Sequence, residues 1–199
     1  LKDRLYAEAP DGPDRRAAQF VLARLHDALT RLLGPILPHT TEELWERLPD
    51  RPGKPSSVHL AEFPEPDPRF DDAERDARWA TLLTVRDEIL RVLEKLRAAK
   101  TIGSAQEAAV RLGTDDPALS GLIERYRATL TTLAIVSDLA IGDPPDDAAP
   151  GVELPRLKVH ASRSSLTKCE RCWNLRSTVG SVAKHPTLCE RCARVLGTA

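Results

Sequence analysis

Between Arg15 and Ile36 apolar residues recur in steps of three and four: Phe20, Val21, Leu25, Ala28, Leu29, Leu32, Leu33 and Ile36, with Arg24, Asp27 and Arg31 between them. That period predicts an amphipathic helix, closed by Gly34-Pro35 and Pro38. Thr40 to Glu43 reads as a capping box ahead of Leu44, Trp45 and Leu48, so a second helix is expected, stopping at Pro49. From there to Phe70 the chain is proline-rich and irregular, apart from a short extended piece expected around Ser57-Val58-His59-Leu60. Asp71-Asp72 opens the longest helix, reaching about Lys100, with an apolar stripe of Trp79, Leu82, Leu83, Ile89, Leu90, Leu93 and Leu96. At ~1.5 Å per residue it spans about 40 Å. Three such helices predict an antiparallel bundle. The opening Leu1-Lys2-Asp3-Arg4-Leu5-Tyr6 reads as the end of an element, and the chain contains no methionine, so a fragment of a longer protein is expected.

The period changes after Gly103. Ala108, Val110 and Leu112 alternate as a strand does. Asp115-Asp116-Pro117 supplies a cap followed by proline at the first helical position, predicting a helix to about Leu130. The apolar run Leu133-Ala134-Ile135-Val136, continuing through Leu139-Ala140-Ile141, predicts a second strand, and Leu157, Val159 and Ala161 alternate with Lys158, His160 and Ser162 as a third. Gly142 to Gly151 reads as a loop. The expected organisation is therefore mainly α with a small α+β part: a truncated helical bundle over 1–103, a linking α+β domain over 104–162, and a cysteine module over 163–199.

The four cysteines fall in that last module as Cys169-x2-Cys172 and Cys189-x2-Cys192, with sixteen residues between the pairs. Two such turns place four thiolates tetrahedrally around one zinc ion at ~2.3 Å. The segment also holds too few large apolar residues for a core without a staple. Disulfides would need an oxidising compartment, for which the sequence gives no sign. A redox site needs only one pair, normally in a βαβ context. One structural Zn²⁺ held by Cys169, Cys172, Cys189 and Cys192 is the expectation, since four thiolates leave no open position. His185, just before the second pair, is a possible further ligand, but reads more readily as a surface or supporting residue.

Charge then changes the picture. The whole chain has 29 Lys+Arg against 30 Asp+Glu, a net charge of −1. From Arg156 onward, nine basic residues face only Glu170 and Glu190, so the tail carries +7 and the rest −8. A basic, zinc-stapled module with Trp173 directly after a knuckle has the parts for single-stranded RNA, because cations meet phosphate and an aromatic ring stacks on a base. The competing reading makes Trp173 the small core of the knuckle and leaves the arginines solvated. Arg171, inside the first knuckle, favours contact.

No phosphate-cradling glycine loop, Gly-x-Ser-x-Gly or His-Glu-x-x-His occurs, and no nucleophile–base pair follows from adjacency. Glu42 and Glu43 are explained by a helix start, His39 by a turn, and His26 by packing between apolar positions. No catalytic residue is expected. No stretch approaches the roughly 18 apolar residues of a membrane span, and no signal segment opens the chain, so a cytoplasmic protein is expected.

Several runs resemble a known family. Lys2-Asp3-Arg4-Leu5-Tyr6 and Pro35-Ile36-Leu37-Pro38-His39-Thr40-Thr41-Glu42-Glu43-Leu44-Trp45 are similar to the anticodon-binding helical domain of class I synthetases for isoleucine, valine and leucine. Ser57-Val58-His59-Leu60, Arg78-Trp79, Val85-Arg86-Asp87-Glu88 and Lys100-Thr101-Ile102-Gly103-Ser104 narrow the resemblance toward isoleucine. Lys168-Cys169-Glu170-Arg171-Cys172-Trp173, with Val179-Gly180 and Cys189-Glu190-Arg191-Cys192, resembles the C-terminal finger of bacterial-type isoleucyl-tRNA synthetases. The resemblance is collinear over nearly the whole chain, weakening from Asp143 to Arg156. It implies a family of enzymes that join isoleucine to its tRNA with ATP and Mg²⁺ and edit valine in an inserted domain. This segment would be the non-catalytic, tRNA-facing C-terminal part. The same resemblance makes the four cysteines zinc ligands; Arg171 and Trp173 are the candidate contacts to the isoleucine tRNA anticodon stem-loop. Its other partner would be the remainder of the synthetase chain, in a monomer. Two competing readings are the zinc-finger tail of a DNA-repair glycosylase, whose cysteine spacing is similar, and a scaffold or oligomerisation module with an incidental basic tail.

Overall fold

The computed structural model describes residues 1–197, so the last two positions of the cysteine module lie outside the described residues. The chain divides into two compact units, Leu1–Asp71 and Asp72–Ala199. The boundary between these units precedes Asp72, well before the change of sequence period at Gly103.

The first unit is helical. α1 (Lys2–Tyr6) and α3 (Pro38–Glu46) both pack on α2 (Pro13–Leu33). Proline fixes φ at the first position of α2 and again of α3, where the missing N–H costs nothing. This start moves Thr40 inside α3, so the expected capping box does not form. Leu37 is the N-cap residue, without a side-chain cap, and His39 is helical rather than in a turn. The Thr41 hydroxyl instead donates back to the Leu37 carbonyl at 2.8 Å.

Glu42 does more than sit at a helix start: one carboxylate oxygen accepts from Ser57 Oγ at 2.8 Å and from Val58 N at 3.0 Å. That grip folds Val58–Leu60 into a 3-10 turn capped by Ser57, not the extended piece expected there. Trp45, Leu48 and Val58 form the small core beneath it, with Trp45 Nε1 donating to Pro55 O at 2.9 Å. Around it Asp27 pairs with Arg31 at 2.5 Å and with Arg51. Burial works against the Asp27 carboxylate, but the Arg51 and Arg31 guanidinium groups outweigh it and hold its pKa below the ordinary 3.8. Of the predicted α2 stripe, Phe20, Val21, Leu25 and Leu29 stay exposed, and the buried positions are Ala18 and Thr30.

The second unit is built on α4 (Ala73–Ala98), whose start is capped by Asp72 accepting from Arg75 N at 2.9 Å. Leu82, Val85, Ile89, Val92 and Leu93 of α4 share one core with the sheet and with Ile123 and Leu130. The four-stranded sheet runs in the order β2-β1-β4-β3, with β1 Ala108–Thr114, β2 Asp138–Ile141, β3 Ala149–Pro150 and β4 Leu157–Arg163. β1 is parallel to β2 and antiparallel to β4, where Val110 faces Ala161 and Leu112 faces Val159. The two-residue period puts Ala108, Val110, Leu112, Leu157 and Val159 in the core and Arg111, Lys158 and Ser162 on the outer face.

The crossover between β1 and β2 differs from expectation twice. The helix predicted from Pro117 to Leu130 is two helices, α5 (Pro117–Arg125) and α6 (Arg127–Ala134), broken at Tyr126. The run 133–136 is not a strand. Leu133 and Ala134 finish α6, and Ile135 turns left-handed at φ 57°, letting Val136 N donate to Thr131 O at 3.2 Å. This is a helix stop that favours glycine, here occupied by a β-branched residue at 62% exposure. Ile135→Gly is therefore expected to stabilise the chain by about 1 kcal/mol, read as a raised urea midpoint at constant slope. A loss would mean that the Ile135 side chain contributes more than its backbone costs.

Candidate functional site

The cysteine module hangs on a two-stranded ribbon, β5 (Thr167–Lys168) against β6 (Leu175–Arg176), and a short helix α7 (Glu190–Val195). The first Cys-x-x-Cys is the turn between the strands. Cys169 N donates to Asn174 O, and Trp173 N returns to Cys169 O, both at 2.9 Å. The second pair opens α7, with Cys189 as its N-cap residue.

All four sulfur atoms lie within 4.8 Å of one another, Cys172 and Cys189 being 3.9 Å apart. A tetrahedron with ~2.3 Å metal–sulfur bonds has edges of about 3.8 Å, so the donor set fits one zinc ion. The thiols are free, and Cys169, Cys189 and Cys192 are buried. Burial raises the Cys169 pKa, but backbone N–H groups of Cys172, Cys189 and Arg171 outweigh it and bring the thiol to about 6. Cys192 is pushed up to about 12, first by burial and then by neighbouring sulfur charge, and Cys189 rises for the same first reason. Four sulfurs packed this closely share their negative charge comfortably only around a cation. His185 is not part of the cluster.

The structure separates the two other candidate residues. Arg171 is half-buried, with Nη1 3.6 Å from Cys192 Sγ, so its guanidinium sits against the sulfur cluster. Trp173 stands at 50% exposure, outside the small cluster that Val179 and Leu188 form on the cysteines. Its backbone is left-handed, φ 65°, a conformation costing about 1–2 kcal/mol in a residue with a Cβ. The tight knuckle imposes that turn and carries the indole outward. Lys168 Nζ lies 5.8 Å from the ring centroid, a role that the charge count included without singling it out.

The outer sheet face carries an open cleft of about 430 Å³ with Arg111, His160, Ser162, Asp138 and Asp143 among its lining residues. Its charges are mixed. The cysteine quartet is the only metal-ligating cluster found among the described residues, and none of their helices is long and apolar enough to cross a membrane.

A helical unit with a buried Trp45, followed by a sheet unit ending in a four-cysteine knuckle, has counterparts among known proteins. Residues 1–112 match the family described as the anticodon-binding domain of tRNA ligase, and residues 168–195 match a zinc finger found in FPG and IleRS. The chain belongs to the family of tRNA-ligase anticodon-binding domains. Relatives that match along nearly all of it include isoleucine--tRNA ligases: that of Syntrophotalea carbinolica is 41% identical over 196 residues, that of Symbiobacterium thermophilum 43% over 202, and that of Geobacter sulfurreducens 39% over 198. These alignments cover 97–98% of this chain but 21% of each relative, so the chain spans about a fifth of their length.

Proposed function

We propose that the chain is the tRNA-binding, C-terminal region of an isoleucine--tRNA ligase and that its cysteine module, stapled by one structural Zn²⁺, recognises the anticodon stem-loop of the isoleucine tRNA. One observation carries this reading: an indole held half-exposed by a strained turn on a knuckle rich in cations, with Lys168 over its ring. Such a ring offers a stacking platform to an unpaired base, and the nearby cations meet phosphate. Trp173 is the stacking residue in this reading. Arg171 keeps one guanidinium edge on the Cys192 sulfur and supplies positive charge beside the RNA.

Residues 1–103 supply the helices that serve the anticodon stem, 104–162 the link and 163–199 the finger. The segment is non-catalytic. Joining isoleucine to tRNA, with its ATP and Mg²⁺, belongs to the remainder of a monomeric cytoplasmic ligase. Identity near 40% to isoleucine--tRNA ligases along nearly the whole chain supports this assignment over a repair-glycosylase tail, although the matched finger family includes both.

The test is a salt titration of binding to an isoleucine tRNA anticodon stem-loop and to duplex DNA. The stem-loop is expected to be preferred throughout, and equal affinity for the two would sink the assignment. Trp173→Ala is expected to weaken stem-loop binding about 10- to 100-fold, the worth of one stacked base, while zinc stays at one per chain. Loss of zinc in that variant would make Trp173 a core residue instead.

A further inference from the structure

One buried hydroxyl ties the knuckle to the sheet. Ser137, between α6 and β2, is 3% exposed. Its Oγ donates to the Gln106 carbonyl at 2.6 Å and accepts from Leu175 N at 2.7 Å. Gln106 lies in the 3-10 turn Ala105–Glu107 that leads into β1, and Leu175 opens β6, the strand that leaves the knuckle. A second bridge lies beside it: Gln106 Nε2 donates to Asn174 Oδ1 at 3.3 Å. Asn174 directly follows Trp173, and its own carbonyl holds Cys169 N. The entries to β1 and β2 thus meet the exit of the knuckle at one serine.

Besides these bonds, Ser164 N donates to Glu107 O at 2.7 Å where the chain approaches the knuckle. The β5–β6 ribbon pairs only Thr167 with Arg176 and Lys168 with Leu175, and so short a ribbon twists easily by itself. A hydroxyl is the smallest group that donates and accepts at once. Alanine at 137 leaves the Gln106 carbonyl and the Leu175 N–H without that partner. Neither zinc coordination nor the sheet register requires Ser137, because the four sulfurs and the β1–β4 ladder lie elsewhere.

We infer that Ser137, assisted by Gln106, is a positioning residue for RNA recognition: it fixes the angle at which the knuckle presents Trp173, so that the ring is already placed when the stem-loop arrives. This rests on the RNA-binding reading above. Preorganisation of this kind shows in affinity because ordering is done before binding.

The test labels the whole chain with 5-fluorotryptophan. Its three tryptophans give three fluorine resonances, and Trp173→Phe identifies that of Trp173. In Ser137→Ala the Trp173 resonance is expected to shift and broaden while those of Trp45 and Trp79 hold, with zinc still at one per chain. The stem-loop Kd is expected to rise about tenfold. In a Trp173→Ala background the same change is expected to add less than about twofold, because its effect runs through the ring. An unmoved Trp173 resonance overturns the inference, and so does a full tenfold loss that persists without the indole. Should Ser137→Ala fail to fold, Gln106→Ala removes only the Asn174 bridge and is expected to move the same resonance with about a threefold loss; no movement there also overturns it. If Trp173→Ala leaves binding unchanged, the RNA reading fails, while the resonance still reports whether Ser137 sets the place of the ring.

Discussion

Removing zinc is expected to unfold residues 164–197 and abolish stem-loop binding while leaving most of the helical signal intact. The cause is the size of the module's own core. Apart from the cysteines, Leu175 and Ala193 are its buried apolar residues, with Val179 and Leu188 only partly covered. That is far too little burial to offset the ordering of some thirty residues. In finger peptides metal binding contributes about 10–16 kcal/mol, and this is folding free energy because the site does not exist in the unfolded chain. The one helix in the module, α7, has six residues, whereas α2 and α4 have 21 and 26. A chelator titration followed by amide NMR should therefore collapse the dispersion of the tail first, with far-ultraviolet circular dichroism changing little. Cys192→Ser is expected to reproduce the apo spectrum. A tail that keeps its dispersion after complete chelation would refute the structural metal.

The four-cysteine cluster could be read from sequence because the spacing of the two pairs brings the sulfurs together: each Cys-x-x-Cys closes one turn, and two turns set four sulfurs in one place. Apolar runs were less decisive. Leu133-Ala134-Ile135-Val136 suits a buried strand and a helix end equally by pattern, and a left-handed stop at Ile135 carries no sequence mark when the residue is not glycine. The stripe on α4 announced that the helix buries one face, but not against what; only the structure pairs Ile89 and Leu93 with the sheet core. At α3 two signals competed, and Pro38 at the first position displaced the cap that Thr40 would have formed. Ser137 was invisible for another reason. Its partners at 106 and 175 are far apart along the chain, and a lone serine after an apolar run looks like a loop residue.

Glu88 is the strongest case of a residue whose role the sequence conceals, and its replacement is expected to cost the most outside the metal site. Beside Asp87 it looks like another surface acid on a long helix, yet it is 4% exposed. Oε1 accepts from Val152 N at 2.6 Å and Glu153 N at 2.7 Å, Oε2 accepts from Arg91 Nε at 3.0 Å, and Arg91 Nη2 reaches Pro150 O at 2.7 Å. One carboxylate thus pins the loop that the sequence left irregular. Gly151 belongs to the same arrangement, since a Cβ there would lie 2.3 Å from Leu154 O and 3.4 Å from the Glu88 carboxyl carbon. Glu88→Ala strands two loop N–H groups and the Arg91 charge. The expected cost is about 3 kcal/mol, read from the urea midpoint, with hydrogen exchange at Val152 and Glu153 rising most. Burial raises the carboxylate pKa, but the loop N–H groups and Arg91 outweigh it and hold the pKa below the ordinary 4.5. A depressed carboxylate stabilises above its unfolded value, and that stabilisation fades as pH falls from about 4.5 through the folded value. The parent chain is therefore expected to lose stability in that acid window more steeply than Glu88→Gln. Parallel acid titrations of the two chains would show instead that the carboxylate charge contributes nothing to holding the loop.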